Sequence, residues 1–222
     1  ELLNKLINIH YVRNDFEFKR GAFCVRGDVI DIIPAYEDDT AVRIELFDDE
    51  IEGIMYFDKT SGEIIGTDEK VAIYPAKYFV TSPERQEKAI LDIRRELNAR
   101  IAELQNEGKL VEAQRLEQRT NFDLEMIQEV GYCTGIENYS RYMDQREPGS
   151  RPSCLFDYFP KDYLLIVDES HVSVSQVNGM YQGDRVRKQT LIDYGFRLPS
   201  ALDNRPMKFD EWESMQNQVI YV

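Results

Sequence analysis

Two adjacent carboxylates, Asp168 and Glu169, close a continuous apolar run, Tyr163-Leu164-Leu165-Ile166-Val167. Strands buried on both faces of a parallel sheet read this way, and at the carboxyl edge of such a sheet ligands bind. In nucleotide hydrolases the first acid of such a pair holds Mg²⁺ and the second orients and polarises the attacking water. Ser170 and His171 complete an Asp-Glu-x-His string. An apolar run ending in acids is equally the exit of a strand into a loop with nothing bound, and both readings stand on these residues alone. The string Gly-x-x-x-x-Gly-Lys-Ser/Thr, whose amides and lysine would cradle phosphates, occurs nowhere. A second group of interest is Gly179-Met180-Tyr181-Gln182-Gly183-Asp184-Arg185-Val186-Arg187-Lys188, where glycine turns accompany a dense basic cluster. Arg185, Arg187 and Lys188 could meet phosphates from this loop, or be solvated and paired with local acids. Tyr132, Tyr139 and Tyr142, interleaved with Asn138 and Arg141, could stack on bases or pack half-buried. Neither His10 nor His171 has a Cys or His at ligand spacing, which argues against zinc.

The background these residues sit in is acidic. The 222 residues hold 41 Asp and Glu against 27 Lys and Arg, a net charge of −14, so no long-range field draws the chain to nucleic acid or anionic lipid. With 42% hydrophobic residues it can bury a core, and no apolar stretch is long enough to span a bilayer, so a soluble, cytoplasmic protein is expected. Three cysteines, Cys24, Cys133 and Cys154, read as reduced thiols. The opening Glu1 and the closing strand-like run Val219-Ile220-Tyr221-Val222 lead to the expectation that the sequence is a fragment.

Three zones must position these groups. Residues 1–80 carry 9 basic and 17 acidic residues, a net −8. After a short helical pattern at Leu2, Leu3, Leu6 and Ile7, period-two runs broken by turn residues describe an antiparallel meander. In Val42-Arg43-Ile44-Glu45-Leu46-Phe47 alternation puts Val42, Ile44 and Leu46 on a packed face and Arg43 and Glu45 on a presented one. At Ser82-Pro83-Glu84 an N-cap, a proline at the first helical position and an acid in the first turn start a long helix. Its apolar positions are Ile90, Ile93, Leu97, Ile101 and Leu104, with Glu96 and Arg100 expected as a pair on the wet side, and Gly108 stops it. A second helix, about Leu110 to Val130, completes a helical hairpin. An aromatic and polar connector runs to Pro152, and the third zone carries the acid pair.

Strings along almost the whole chain resemble the UvrB family of bacterial nucleotide excision repair. They include Tyr11-Val12-Arg13-Asn14-Asp15, Val25-Arg26-Gly27-Asp28-Val29, Val71-Ala72-Ile73-Tyr74-Pro75-Ala76, Gly135-Ile136-Glu137-Asn138-Tyr139-Ser140-Arg141, Val167-Asp168-Glu169-Ser170-His171 and the run from Gly195 to Pro206. The resemblance implies a helicase-like subunit of the UvrABC excinuclease that UvrA loads on damaged double-stranded DNA, that verifies lesions with ATP and Mg²⁺, and that recruits UvrC in an SOS-type repair response. It implies a mixed α+β and α/β fold: an antiparallel UvrA-binding sheet domain at 1–81, a helical hairpin beside the DNA path at 82–152, and half of a P-loop, helicase-type parallel-sheet ATPase domain at 153–222. The family's phosphate loop, DNA-clamping β-hairpin, second helicase domain and UvrC-binding helices have no counterpart here, so neither ATPase activity nor tight ATP binding is expected of this chain alone. Arg13, Arg26, Arg43 and Glu45 match UvrA-contacting positions. Asp168, with ATP-borne Mg²⁺, and Glu169 match the catalytic acids. Tyr132, Tyr139, Arg141, Arg185, Arg187 and Lys188 are DNA-path candidates. Position 24, commonly arginine in the family, is Cys24. The alternatives are a non-catalytic UvrA-binding adaptor and a relative of the transcription-repair coupling factor.

Overall fold

A computed structural model describes every residue from Glu1 to Val222 except Asp49, Tyr78 and Val80. The chain divides into two compact units, Glu1–Val80 and Thr81–Val222.

The first unit is a six-stranded sheet in sequential order with one short helix, α1 (Leu2–Asn8). The strands are β1 (Val12–Arg13), β2 (Ala22–Arg26), β3 (Val29–Ile33), β4 (Thr40–Phe47), β5 (Glu50–Asp58) and β6 (Ile64–Asp68). β2 to β6 form the expected meander, while β1 lies parallel to β2 because the segment 14–21 carries the chain back across the sheet before β2 begins. Alternation sorts the side chains onto two faces. Phe23, Ile30, Ile32, Val42, Ile44 and Ile54 face Leu6 and Tyr11 in the main core. The other face has a small core of its own, Ile33, Ala41 and Phe57, with Phe18 packed over it.

The second unit begins with α2 (Pro83–Asn106) and α3 (Leu110–Val130), antiparallel and joined through Gly108, as the periodicity predicts. Ser82 caps α2 by accepting the Arg85 backbone N–H. The seam is Ile93, Leu97 and Leu104 against Leu116, Leu124 and Ile127, all buried. The expected Glu96–Arg100 pair does not form. Arg100 binds Glu103 at 2.8 Å, and Glu96 turns inward to accept the Ser200 backbone N–H at 2.7 Å and the Tyr142 hydroxyl at 3.0 Å. The helix face is wet only where nothing packs on it, and the 3₁₀ turn Pro199–Asp203 packs there.

Past a short helix α4 (Ser140–Met143), β7 (Leu164–Val167) pairs in parallel with β8 (Gln218–Tyr221), and between them run α5 (Ser170–Asp193) and α6 (Phe209–Met215). Two sequence expectations need correction here. β7 is not buried on both faces: Leu164 is 52% and Ile166 60% exposed, because the strand has a single neighbour among the described residues. The glycine-bearing stretch 179–188 is not a loop but the middle of the continuous 24-residue α5. Glycine in a helix interior costs about 1 kcal/mol relative to alanine, which the flanking turns of one long helix absorb. Gly195, by contrast, is required. At φ +71° it ends the helix turn against α3, and a Cβ there would stand 2.2 Å from the Glu112 carbonyl oxygen.

Candidate functional site

The second face of the sheet carries two cross-strand rows. Cys24, Asp31, Arg43 and Met55 are directly opposite one another on β2 to β5, and beside them run Arg26, Val29, Glu45 and Gly53. Register thus brings Arg26, Arg43 and Glu45 onto one face. Their environments differ. Asp31 interrupts the apolar strand Val29-Ile30-Asp31-Ile32-Ile33, is 2% exposed, and takes Arg43 Nε at 2.7 Å and Nη2 at 3.0 Å. The guanidinium also lies 4.9 Å from the Phe57 ring centroid, and the Asp31 hydrogen bonds hold its pKa above the ordinary arginine range. Arg43 therefore completes the fold of this face as well as lining it. Arg26 is exposed at the β2–β3 turn, with its guanidinium 6.0 Å from the Phe18 ring, and Glu45, across Val29 in the same row, is half-buried. Arg13 is in register with Phe23, a residue of the opposite face, and its guanidinium binds Asp15 at 3.0 Å. Cys24 is buried; desolvation and the neighbouring Asp15 and Asp31 carboxylates push its thiol pKa up, against the Arg26 charge.

At the other candidate site, Asp168 and Glu169 follow the last residue of β7, and both are exposed. Glu169 occupies the left-handed region at φ 47°, ψ 48°, a conformation that turns the strand directly into α5 and costs a non-glycine residue about 1 kcal/mol or more. The turn is held on both sides. Asp168 Oδ1 accepts the Glu169 N–H at 2.9 Å, Ser173 Oγ donates to the Asp168 carbonyl at 2.8 Å, and Ser170 N–H donates to the Val222 carbonyl at 2.8 Å. Glu169 Oε2 lies 3.4 Å from His171 Nδ1. No three His, Cys, Asp or Glu side chains converge among the described residues. Two exposed neighbouring acids fit a metal that arrives with a ligand supplying most of its coordination, and do not form a cage that would hold an ion unaided.

The DNA-path candidates separate. Tyr139 is buried and donates to Asp123 Oδ2 at 2.8 Å; burial and that carboxylate raise its pKa. Arg141 binds Asp203 at 2.7 Å inside the network that includes Tyr142 and Glu96. Lys188 is buried, paired with Asp184 at 2.8 Å and bonded to the Asn204 carbonyl. These three side chains serve the interior in this structure. Tyr132 is half-buried, while Arg185 and Arg187 are exposed on α5. Helical geometry puts the two arginines about 200° apart, so the basic cluster of the sequence is dispersed around the helix and forms no single patch. Arg187 also pairs with Asp184 at 2.8 Å.

A family model described as the UvrB interaction domain matches residues 1–79, which hold the whole sheet and its two charged rows. A second, described as the UvrB third helical domain, matches residues 84–145, the hairpin and its connector. The chain belongs to the UvrB family. Along its full length it is similar to proteins named UvrABC system protein B: 60% identical over 222 residues to that of Natranaerobius thermophilus, 58% over 221 to that of Geobacillus kaustophilus and 56% over 222 to that of Bacillus subtilis. Each comparison takes in all of this chain and 34% of the relative, so the chain spans about a third of the length of these UvrB-family proteins. Residues 146–222, with the acid pair, lie outside both matched domains but inside the full-length similarity. No helix among the described residues is long and apolar enough to cross a membrane.

The interior roles of Asp31, Glu96, Asp203 and the Arg205–Glu211 pair escape sequence reasoning, which places Glu96 on the wet side. Only Asp31 leaves a trace there, as a lone carboxylate inside an apolar strand. The others are paired with residues from elements distant in sequence or across turns, which no local pattern records.

Proposed function

We propose that this chain is the UvrA-binding and lesion-handling portion of a nucleotide excision repair protein that uses ATP. The observation that carries the reading is the match of residues 1–79 to the UvrB interaction domain together with a face on which Arg26, Arg43 and Glu45 are gathered. UvrA is the partner of that face. Arg26 is the charge most available to it, since Arg43 is shared with Asp31 and Arg13 with Asp15. Residues 82–152 flank the DNA path, and residues 153–222 supply half of a nucleotide-binding sheet. In the complete protein Asp168 would help hold Mg²⁺ carried by ATP, which would neutralise phosphate charge, and Glu169, at the turn with φ 47°, would orient and polarise water. Damaged double-stranded DNA and UvrC are partners of the complete protein; Tyr132, Arg185 and Arg187 are the side chains of this chain best placed to approach DNA, and cytoplasmic residence is proposed with them.

The test is binding of the 222-residue chain to purified UvrA. Arg26→Glu should weaken it about 30-fold with an unchanged melting temperature, as expected when an interface charge pair is lost. Equal binding by the variant would remove the charged row from the interface. For the second site, Glu169→Ala in the full-length protein should abolish phosphate release while nucleotide binding persists. Retained turnover would remove Glu169 from the water-polarising role, and absence of turnover in the unmodified full-length protein would instead favour an adaptor role in which the acids are idle.

A further inference from the structure

The first unit also exposes two phenylalanines. Phe16 is 100% exposed and Phe47 74% exposed. Phe47 follows Arg43 and Glu45 at alternate positions of β4, on the face away from Leu46 and the main core. Phe16 belongs to the segment 14–21 that crosses the opposite margin. There Phe18 packs edge-on against Phe57, with ring centroids 6.4 Å apart, and Asp15 Oδ1 accepts the Val25 N–H at 3.1 Å. Phe47 thus continues the line of Arg43 and Glu45 along β4, while the segment that carries Phe16 passes the β2 edge, where Phe18 lies 6.0 Å from the Arg26 guanidinium.

The backbone that carries Phe16 is held in place. Asn14 Oδ1 accepts both the Phe16 and Glu17 backbone N–H groups at 3.1 Å, the Asn14 N–H donates to the Phe23 carbonyl at 2.9 Å, and Arg13 braces Asp15. An apolar ring projecting from a turn tied down on both sides loses little freedom when a partner covers it. Scattered exposed hydrophobics are ordinary, but an exposed aromatic side chain on a held backbone turn, two residues from the Phe18 that meets the exposed Arg26, is the arrangement of a binding hot spot.

We propose that Phe16 is the principal apolar anchor of this surface, with Phe47 as a secondary one, and that the protein partner presents an apolar pocket for Phe16 flanked by carboxylates that meet Arg26. This rests on the reading of the sheet as the UvrA-binding unit and deepens it. Positive charge held within a unit of net −8 calls for acids on the partner, and the anchor supplies the attraction that the unit's net charge does not.

The experiment measures dissociation constants of the 222-residue chain for purified UvrA at 0.1 M and 0.5 M salt, with melting curves for each variant. Phe16→Ser should weaken binding about 30-fold through a faster off-rate, by the same factor at both salts, and Phe47→Ser about 5-fold. Phe16→Leu should bind within 3-fold of the unmodified chain, and the Arg26→Glu penalty should shrink at high salt. Phe16→Ser binding within 2-fold while Arg26→Glu still weakens the complex would overturn the anchor and leave the UvrA-binding reading standing. Failure of the unmodified chain to bind UvrA would overturn that reading, and the anchor with it.

Discussion

The sheet face of the first unit and the acid edge of the second are the two candidate functional regions of the chain, and they are finished to different degrees. On the sheet, six strands give every central strand two neighbours, each face has its own apolar cluster, and the buried carboxylate Asp31 has a bidentate partner in Arg43. At the acid edge, two strands stand together, their apolar side chains half exposed, and the two carboxylates point into solvent from a strained turn. The sheet face is satisfied by its own unit, whereas at the acid edge the apolar residues are uncovered and the carboxylates stand in water, where charge interactions are weak. The arginines on the sheet repeat the lesson on a smaller scale: Arg43 is engaged by Asp31 within the fold, and Arg26 is exposed.

That contrast can be broken most directly at the buried pair. Arg43→Glu would leave Asp31 unpaired and set a second carboxylate against it, so the first unit should lose about 3 kcal/mol or more of stability, read as loss of hydrogen-exchange protection in β2 to β5. A variant as stable as the parent would show that Arg43 is a partner residue only. In the second unit, Gly195→Ala should cost about 2–3 kcal/mol, because the backbone of α3 blocks the new methyl and φ +71° disfavours it, while exchange in the sheet stays unchanged. Unchanged stability of the second unit would mean that the α3 backbone yields to the new methyl.

Acid separates the regions further. The Arg205 hydrogen bonds hold the Glu211 carboxylate at a pKa of about 2, below its ordinary 4.5. A depressed carboxylate stabilises the folded state above the unfolded value and ceases to do so as pH falls through the folded one. The second unit should therefore lose about 1–2 kcal/mol between pH 4.5 and pH 2 through this group, a figure reduced for its partial exposure, and Glu211→Gln should abolish that share of the pH dependence in chemical denaturation. The smallest effect is at the acid edge itself. Glu169→Gly should stabilise the turn into α5 by about 0.5–1 kcal/mol, since glycine adopts φ 47° freely; destabilisation would mean that the side chain supports the turn and that no strain is held there.

Local sequence was sufficient for the elements whose determinants are local. The Ser82-Pro83 start, the 3-4 spacing of isoleucines and leucines and the stop at Gly108 specify a helical hairpin because capping and amphipathic periodicity act within a few residues. Alternation along Val42 to Phe47 likewise assigned faces correctly, since a pleated strand has no other way to arrange its side chains. Tertiary structure decided the rest. Whether an arginine is free depends on a carboxylate one strand away, and register alone brought Asp31 to Arg43. Glu96 left the wet side of its helix because Tyr142 and Ser200, from distant segments, offered donors to it. The glycine-rich basic stretch became helix because its flanking turns continued through it, and that scattered Arg185 and Arg187 around an axis. The apolar run before Asp168 names a strand and its two exposed acids, but how far that strand is buried depends on which neighbours flank it, a property of the assembled sheet that no single segment contains.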